Sequence, residues 1–301
     1  MQVGLMAPQG WKGEYDGWDP AEAWARTVQL ATQAEELGFE SLWVFDHFHT
    51  VPEPTDEITF ESFSVLSALA MATRRVRLGH MVVCTGFRNP AHTAKLSSTI
   101  DVISGGRFEL GIGAGWKKDE WEAYGYGFPP IGERMDAFGD DLEVITRMLA
   151  PGRATYAGEH AHVRGAINIP KGIQQPRIPI IVGGNGERRT AGYAIKFADE
   201  LNYVFLDAPE IAERMVEVRR RCEDEGRDPS TLRFSLYVRD EDVRAPGQAR
   251  VDLIGSFAEI GLDRIVCFPT RWDPTTETQE AFADDVRAAG VELARGEAVT
   301  A

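Results

Sequence analysis

The sequence predicts an α/β fold of the (β/α)8 TIM-barrel class, with insertions at the C-terminal strand ends, and three observations lead there. Short β-branched or apolar runs alternate with longer stretches of helical period along the whole chain. Eight strand-helix units can be counted in 301 residues, the size that such barrels have. The turn after the first run reads Ala7-Pro8-Gln9, where a doubly wound dinucleotide-binding sheet would want its glycine fingerprint.

The first run is VGLM (3–6), followed by the helical PAEAWARTVQLATQAEELG (20–38). Pro20 suits a first helical turn and Gly38 a left-handed C-terminal cap. SLWVF (41–45), a helix near 62–72, RVRLGHMVV (75–83), a helix near 90–103 and RFELGIGAG (107–115) continue the pattern. A loop near 116–130 and a helix over 133–149 precede a polar stretch, ATYAGEHAHVRGA (154–166), which reads as a small hairpin inserted into the repeat. The rhythm resumes with IPIIVGG (178–184), a helix over 186–198, ELNYVF (200–205), a helix over 209–226 and LRFSLYV (232–238). A helix near 248–259, RIVCF (264–268) and a helix near 277–294 complete it. No linker-like stretch divides the chain, so residues 1–301 are expected to form one domain.

A formal net charge of −15 makes the surface repel polyanions, which argues against general nucleic-acid or anionic-membrane binding. The basic run at Arg219, Arg220 and Arg221 lies in an amphipathic stretch and is followed by acids, as on a solvated helix face. Cys84, Cys222 and Cys267 are far apart and lack CxxC spacing, which indicates neither a disulfide framework nor a thiolate metal site. His160 and His162 have no third ligand, and neither a GxSxG elbow nor a P-loop occurs. The start MQVGLMAPQG lacks a secretory pattern and no apolar run reaches membrane-spanning length, so a cytoplasmic location is expected.

Barrel chemistry sits at the C-terminal strand ends. After the second strand come Asp46 and His47, either a cofactor-facing pair or a turn cap beside a packed histidine. After the third, Met81-Val82-Val83 runs towards Arg88, which could meet a ligand anion or a nearby acid. After the fourth, Gly111, Gly113 and Gly115 alternate before Trp116; missing side chains there let a planar ring approach the backbone, or simply allow tight packing. After the fifth, Gly183-Gly184-Asn185-Gly186 leads into a helix whose free N–H groups suit a phosphate, or forms a plain turn.

WVFDHFHTVPEP, RVRLGHMVVCTGFRNP, SGGRFELGIGAGWKKDEWEAYGYGF and IPIIVGGNGERRT, in that order and spacing, resemble the luciferase-like monooxygenase superfamily, specifically its deazaflavin (coenzyme F420)-dependent oxidoreductases. The resemblance implies a ring at the barrel mouth faced by Asp46 and His47, with His47 handling a proton. It implies a non-prolyl cis peptide at Met81-Val82 in the segment Met81, Val82, Val83 that supports the ring. Gly113, Ala114, Gly115 and Trp116 would line the cofactor, and Gly183, Gly184, Asn185 and Gly186 would bind its phosphate. Trp116 stands where the sugar-phosphate dehydrogenases of the group carry a glutamate, which argues against sugar-phosphate oxidation. Glu120, one helical turn further on, reads as an exposed acid beside Lys117 and Lys118.

The expected reaction is hydride transfer between F420 and a small organic substrate whose determinants lie in the loops 7–19, 46–60 and 269–276, where Trp11, Trp18 and Trp272 occur. An FMN-dependent monooxygenase and a non-catalytic flavin-binding protein are the competing readings. Lys117, Lys118 and Arg88 are expected to form a basic rim for the polyglutamate tail of F420. Any self-association is expected to give a homodimer.

Overall fold

The computed structural model describes residues 1–294. Its strands are β1 (Gln2–Met6), β2 (Ser41–Val44), β3 (Arg77–His80), β4 (Val83–Cys84), β5 (Phe108–Gly113), β6 (Ala154–Ala157), β7 (His162–Ala166), β8 (Ile180–Gly183), β9 (Glu200–Val204), β10 (Arg233–Tyr237) and β11 (Arg264–Cys267). The helices are α1 (Pro20–Leu37), α2 (Ser62–Ala72), α3 (Pro90–Ser104), α4 (Lys118–Ala123), α5 (Ile131–Leu149), α6 (Arg189–Phe197), α7 (Ala208–Asp224), α8 (Asp240–Val243), α9 (Gln248–Glu259) and α10 (Thr276–Ala288).

β1 pairs in parallel with β2 and β11, β2 with β3, and β3 with β5; the chain of pairings then runs through β8, β9 and β10 back to β11. The eight-stranded barrel is therefore closed, each of its eight strands pairing with a neighbour on both sides. β4 prolongs the third strand beyond a break at Met81-Val82, whose peptide bond is cis as the resemblance implied. β6 and β7 form the antiparallel hairpin expected outside the repeat.

Local chemistry sets the helix ends. Asp19 caps α1 by accepting from the N–H groups of Ala21 and Glu22, Pro20 opens the helix, and Gly38 closes it at φ 95°. The last helix stops at Ala288 instead of 294, ahead of Gly290 at φ 76°. The loop expected over 116–130 contains the short helix α4.

Strand alternation sends one set of side chains to the helices and the other into the barrel. Trp43 fills the axis, and two glycines make room for it: a Cβ at Gly79 would stand 2.4 Å from the Trp43 ring, and one at Gly4 2.7 Å from its Nε1. Beneath it Arg264, wholly buried, meets Glu109 at 2.7 Å, Glu40 at 3.2 Å and Glu200 at 3.4 Å, its guanidinium 5.0 Å from the Trp43 ring centre. Burial pushes Glu109 up, but the charges of Arg264 and Arg77 more than reverse this and hold it well below the ordinary carboxylate range. The floor of the barrel is thus a neutralised ion cluster, and the open end carries the apolar Met6, Phe45, Met81 and Phe268.

Replacing Arg264→Met leaves Glu109 and Glu200 buried without their shared cation, and we expect a loss of about 3–5 kcal/mol at neutral pH. Burial already holds Glu200 above its ordinary pKa, and losing the Arg264 charge raises it further, so the loss shrinks as pH falls and Glu200 protonates. Urea unfolding at pH 7.5 and pH 5 checks both points; a pH-independent loss under about 1 kcal/mol would contradict them.

Candidate active site

β2 delivers Phe45, Asp46 and His47 to the mouth of the barrel, and the pleat makes neighbours point opposite ways. Asp46 turns towards the helices. Arg88 grips its two oxygens at 2.7 and 2.8 Å, Ser62 Oγ donates to it at 2.8 Å, and the Cys84 N–H at 3.0 Å. Burial by itself would raise its pKa, but the Arg88 charge and these donors hold the carboxyl below its ordinary value. Asp46 therefore touches the cavity wall with both oxygens already occupied by protein donors, and does not present them to a ring as the resemblance implied. Arg88 meets a nearby acid, as one of its two expected readings held, with Glu61 as a second partner at 3.1 Å.

His47 faces the barrel axis. Its Nδ1 lies 2.6 Å from Glu120 Oε2, and Glu120 Oε1 accepts from the N–H groups of Phe48 at 3.0 Å and His49 at 3.4 Å. A carboxylate only accepts, so Nδ1 carries the proton and Nε2 is the free ring atom. Glu120 is wholly buried, which corrects its reading as an exposed helical acid. Trp11 stacks flat on the imidazole at 3.9 Å and 3°, and Trp116 meets it edge-on at 5.8 Å. Trp11 is held by a loop built for rigidity. Glu14 accepts from the N–H groups of Gln9, Gly10 and Lys12, while the Gln9 side chain bonds the Phe45 N–H and the Phe45 and Phe60 carbonyls.

Beside His47 a largely apolar cavity of about 490 Å³ opens at the C-terminal strand ends. Met81, Val82, Val83, Gly113, Ala114, Gly115 and Trp116 all line it. Val82 sits between two glycines: a Cβ at Gly113 would come within 3.0 Å of its side chain and one at Gly183 within 2.9 Å. Trp116 is 62% exposed, which puts it on the rim instead of the inner wall. The indole N–H groups of Trp11 and Trp121, both cavity residues, are buried with no hydrogen-bond partner among the described residues.

At the far end the cavity reaches Gly183, Gly184 and Thr190, the last in the first turn of α6. Asn185 and Gly186 do not line it. The Asn185 amide is bonded to the backbone N–H and carbonyl of Val204, and the Gly184 N–H donates to the Asn202 carbonyl. Thr190, unmarked in the sequence reading, is the polar side chain that the turn does bring to this end.

The expected basic rim is not assembled. Arg88 is tied to Asp46, Lys117 is buried and paired with Asp119, and Lys118 is 64% exposed beside Glu122. Two inward residues went unread, Lys12 and Tyr237, because neither belongs to a motif.

Asp46→Asn should lower stability by about 3 kcal/mol, since it leaves Arg88 poorly compensated. The Asp46 pKa is depressed by folding, so the wild-type advantage is full above its unfolded value near about pH 4 and fades as pH falls through the lower folded value. Urea titrations of both proteins at pH 7 and pH 3 test this; equal midpoints at pH 7 would refute it.

With this geometry established, comparisons with known proteins place the chain. A family model described as luciferase-like monooxygenase matches residues 1–254. The F420-dependent glucose-6-phosphate dehydrogenase of Kineococcus radiotolerans is 32% identical over 173 residues, which cover 56% of this chain and 50% of that protein. The pyrimidine monooxygenase RutA of Stutzerimonas stutzeri is 28% identical over 256 residues, 80% of this chain and 69% of its own. The match therefore spans only half of the dehydrogenase. Among solved structures, an F420-dependent secondary alcohol dehydrogenase in complex with an F420-acetone adduct superposes with a TM-score of 0.76 at 19% identity, covering 96% of this chain and 98% of that one. A type II Baeyer-Villiger monooxygenase of Pseudomonas putida in complex with FMN gives 0.72 at 14% identity, covering 98% and 99%. At these identities the two structures establish the fold.

Proposed function

Since the chain belongs to the luciferase-like monooxygenase family, we propose that it is an F420-dependent oxidoreductase that exchanges a hydride with a small organic substrate at the barrel mouth. The observation that carries the reading is His47, held by Glu120 on one nitrogen and open to the cavity on the other. The F420-dependent names among its relatives support the choice of cofactor.

The cavity fits such a group. Gly113 and Gly183 bring backbone against Val82, leaving a flat apolar wall for a ring, and the unpartnered indole N–H groups of Trp11 and Trp121 suit the carbonyl oxygens of a deazaflavin. Gly183 and Gly184 at the end of β8, with Thr190 in the first turn of α6, would hold the phosphate. When bound, the deazaflavin supplies two-electron hydride chemistry at its C5.

The protein contributes orientation and proton handling. Glu120 fixes the imidazole, Trp11 keeps its plane, and Nε2 takes or gives the proton at the substrate oxygen. Met81, Val82 and Phe45 exclude water from the reacting centre.

An FMN-dependent monooxygenase is the second reading, favoured by the pyrimidine monooxygenase match over most of the chain. Titration with both cofactors decides between them: tighter binding of F420 supports the proposal, and tighter binding of FMN supports the monooxygenase. With the F420-loaded protein, His47→Ala should slow hydride transfer by about two to four orders of magnitude while retaining the cofactor. Glu120→Gln, which keeps shape but loses a pure acceptor, should fall between His47→Ala and wild type in stopped-flow rates. An unchanged rate in His47→Ala would remove it from the mechanism.

A further inference from the structure

The cavity is lined by a charged group that the reaction as described does not use. Lys12 projects from the loop after β1 with only 9% of its side chain exposed. Its Nζ stands 5.1 Å from the Tyr237 ring centre, 5.2 Å from Phe45 and 5.5 Å from Trp11. It donates to the Tyr237 hydroxyl at 2.9 Å and forms a short ion pair with Asp240. An ammonium has three donors, so one remains beyond these two.

The charge balance around Asp240 is uneven. Arg271 also pairs with Asp240, at 2.9 Å, so two cations share one buried carboxylate, and the hydroxyl of Tyr237 donates to the same acid. Glu241, the second partner of Arg271 at 3.2 Å, is exposed. Glu14 is the other acid nearby, and its oxygens accept from the backbone N–H groups of Gln9, Gly10 and Lys12. Lys117, the other cation lining the cavity, is taken by Asp119. In a chain of net charge −15, Lys12 makes this enclosed wall a local site for an anion.

We propose that Lys12 anchors the carboxylate of a substrate whose remaining body is apolar, which deepens and rests on the reading of the cavity as a redox site. The rest of the wall matches such a body: Phe87, Ile131, Val204 and Phe205 line the same space. Burial pulls the Lys12 ammonium below its ordinary pKa and Asp240 pulls it back, so a second anion replaces solvation that the cation lacks. The rings of Tyr237, Phe45 and Trp11 hold the ammonium in place, and the Glu14-braced loop keeps it there before a ligand arrives.

The test is calorimetric binding of trans-cinnamate and its neutral isostere cinnamamide to the F420-loaded protein and to the Lys12→Met variant, with F420 affinity titrated separately on each. Wild type should bind the carboxylate about tenfold or more tightly than the amide, as a buried charge-assisted hydrogen bond implies. Lys12→Met should lose that preference while binding cinnamamide within about twofold of wild type, which also shows that the variant is folded. F420 affinity should be the same in both proteins. No preference in wild type, or an equal loss of both ligands in the variant, overturns the anchor. If F420 fails to bind, the same two ligands are titrated into the unloaded proteins, and a carboxylate preference that depends on Lys12 there means that the cofactor reading falls and the anchor stands.

Discussion

The ion pair between Asp46 and Arg88 is the constraint on which the site is built. It joins the end of β2 to the start of α3, and Ser62 and the Cys84 N–H add α2 and β4 to the same carboxylate. Because adjacent strand residues face opposite ways, anchoring Asp46 in the helical layer commits His47 to the cavity. One dipeptide therefore does two jobs, the acid fixing the scaffold and the imidazole facing the chemistry. Moving Asp46 inward would strand Arg88 and flip His47 out of reach of Glu120.

The surroundings of His47 follow the same logic of polar groups satisfied before any ligand arrives. Glu120 takes one imidazole nitrogen and two backbone N–H groups, and Glu14 takes three more in the loop that carries Trp11 and Lys12. Each carboxylate is buried, and each organises a turn that an apolar residue could not. With these donors consumed, the cavity keeps few polar features among the described residues, chiefly His47 and the Lys12 ammonium, while the indole N–H groups of Trp11 and Trp121 lie buried and unpartnered in its wall. At the other end of the barrel Arg264 gathers Glu109, Glu40 and Glu200 beneath Trp43, with Arg77 and Arg233 completing the charge balance.

Much of the fold was legible because periodicity and punctuation are local. The bounds of α2 and α9 match the sequence reading, Pro20 and Gly38 delimit α1, and the 154–166 stretch forms its hairpin. The cis bond at Met81-Val82 and the glycine wall followed from the family resemblance. What could not be read is the direction of single side chains across loops. Lys117 and Lys118 made Glu120 look solvated, yet Lys117, Glu120 and Trp121 share one helical face, i, i+3 and i+4, and all three are buried. That spacing was the available signal. Arg88, Lys117 and Lys118 looked like one basic rim, but each met an acid first. Lys12 and Tyr237 are 225 residues apart and meet only because the barrel closes.

At the centre of the proposed chemistry is a histidine whose protonation pattern Glu120 dictates. The most direct measurement is the long-range nitrogen–proton NMR spectrum of the histidine rings in uniformly 15N-labelled protein, with His47 assigned from a His47→Gln variant. At a pH where the ring is neutral, His47 should be the Nδ1–H tautomer with an unprotonated Nε2, and should lose that pattern in Glu120→Gln. A neutral His47 protonated on Nε2, or a tautomer indifferent to Glu120, would contradict the assignment of Nε2 as the atom that exchanges a proton with substrate.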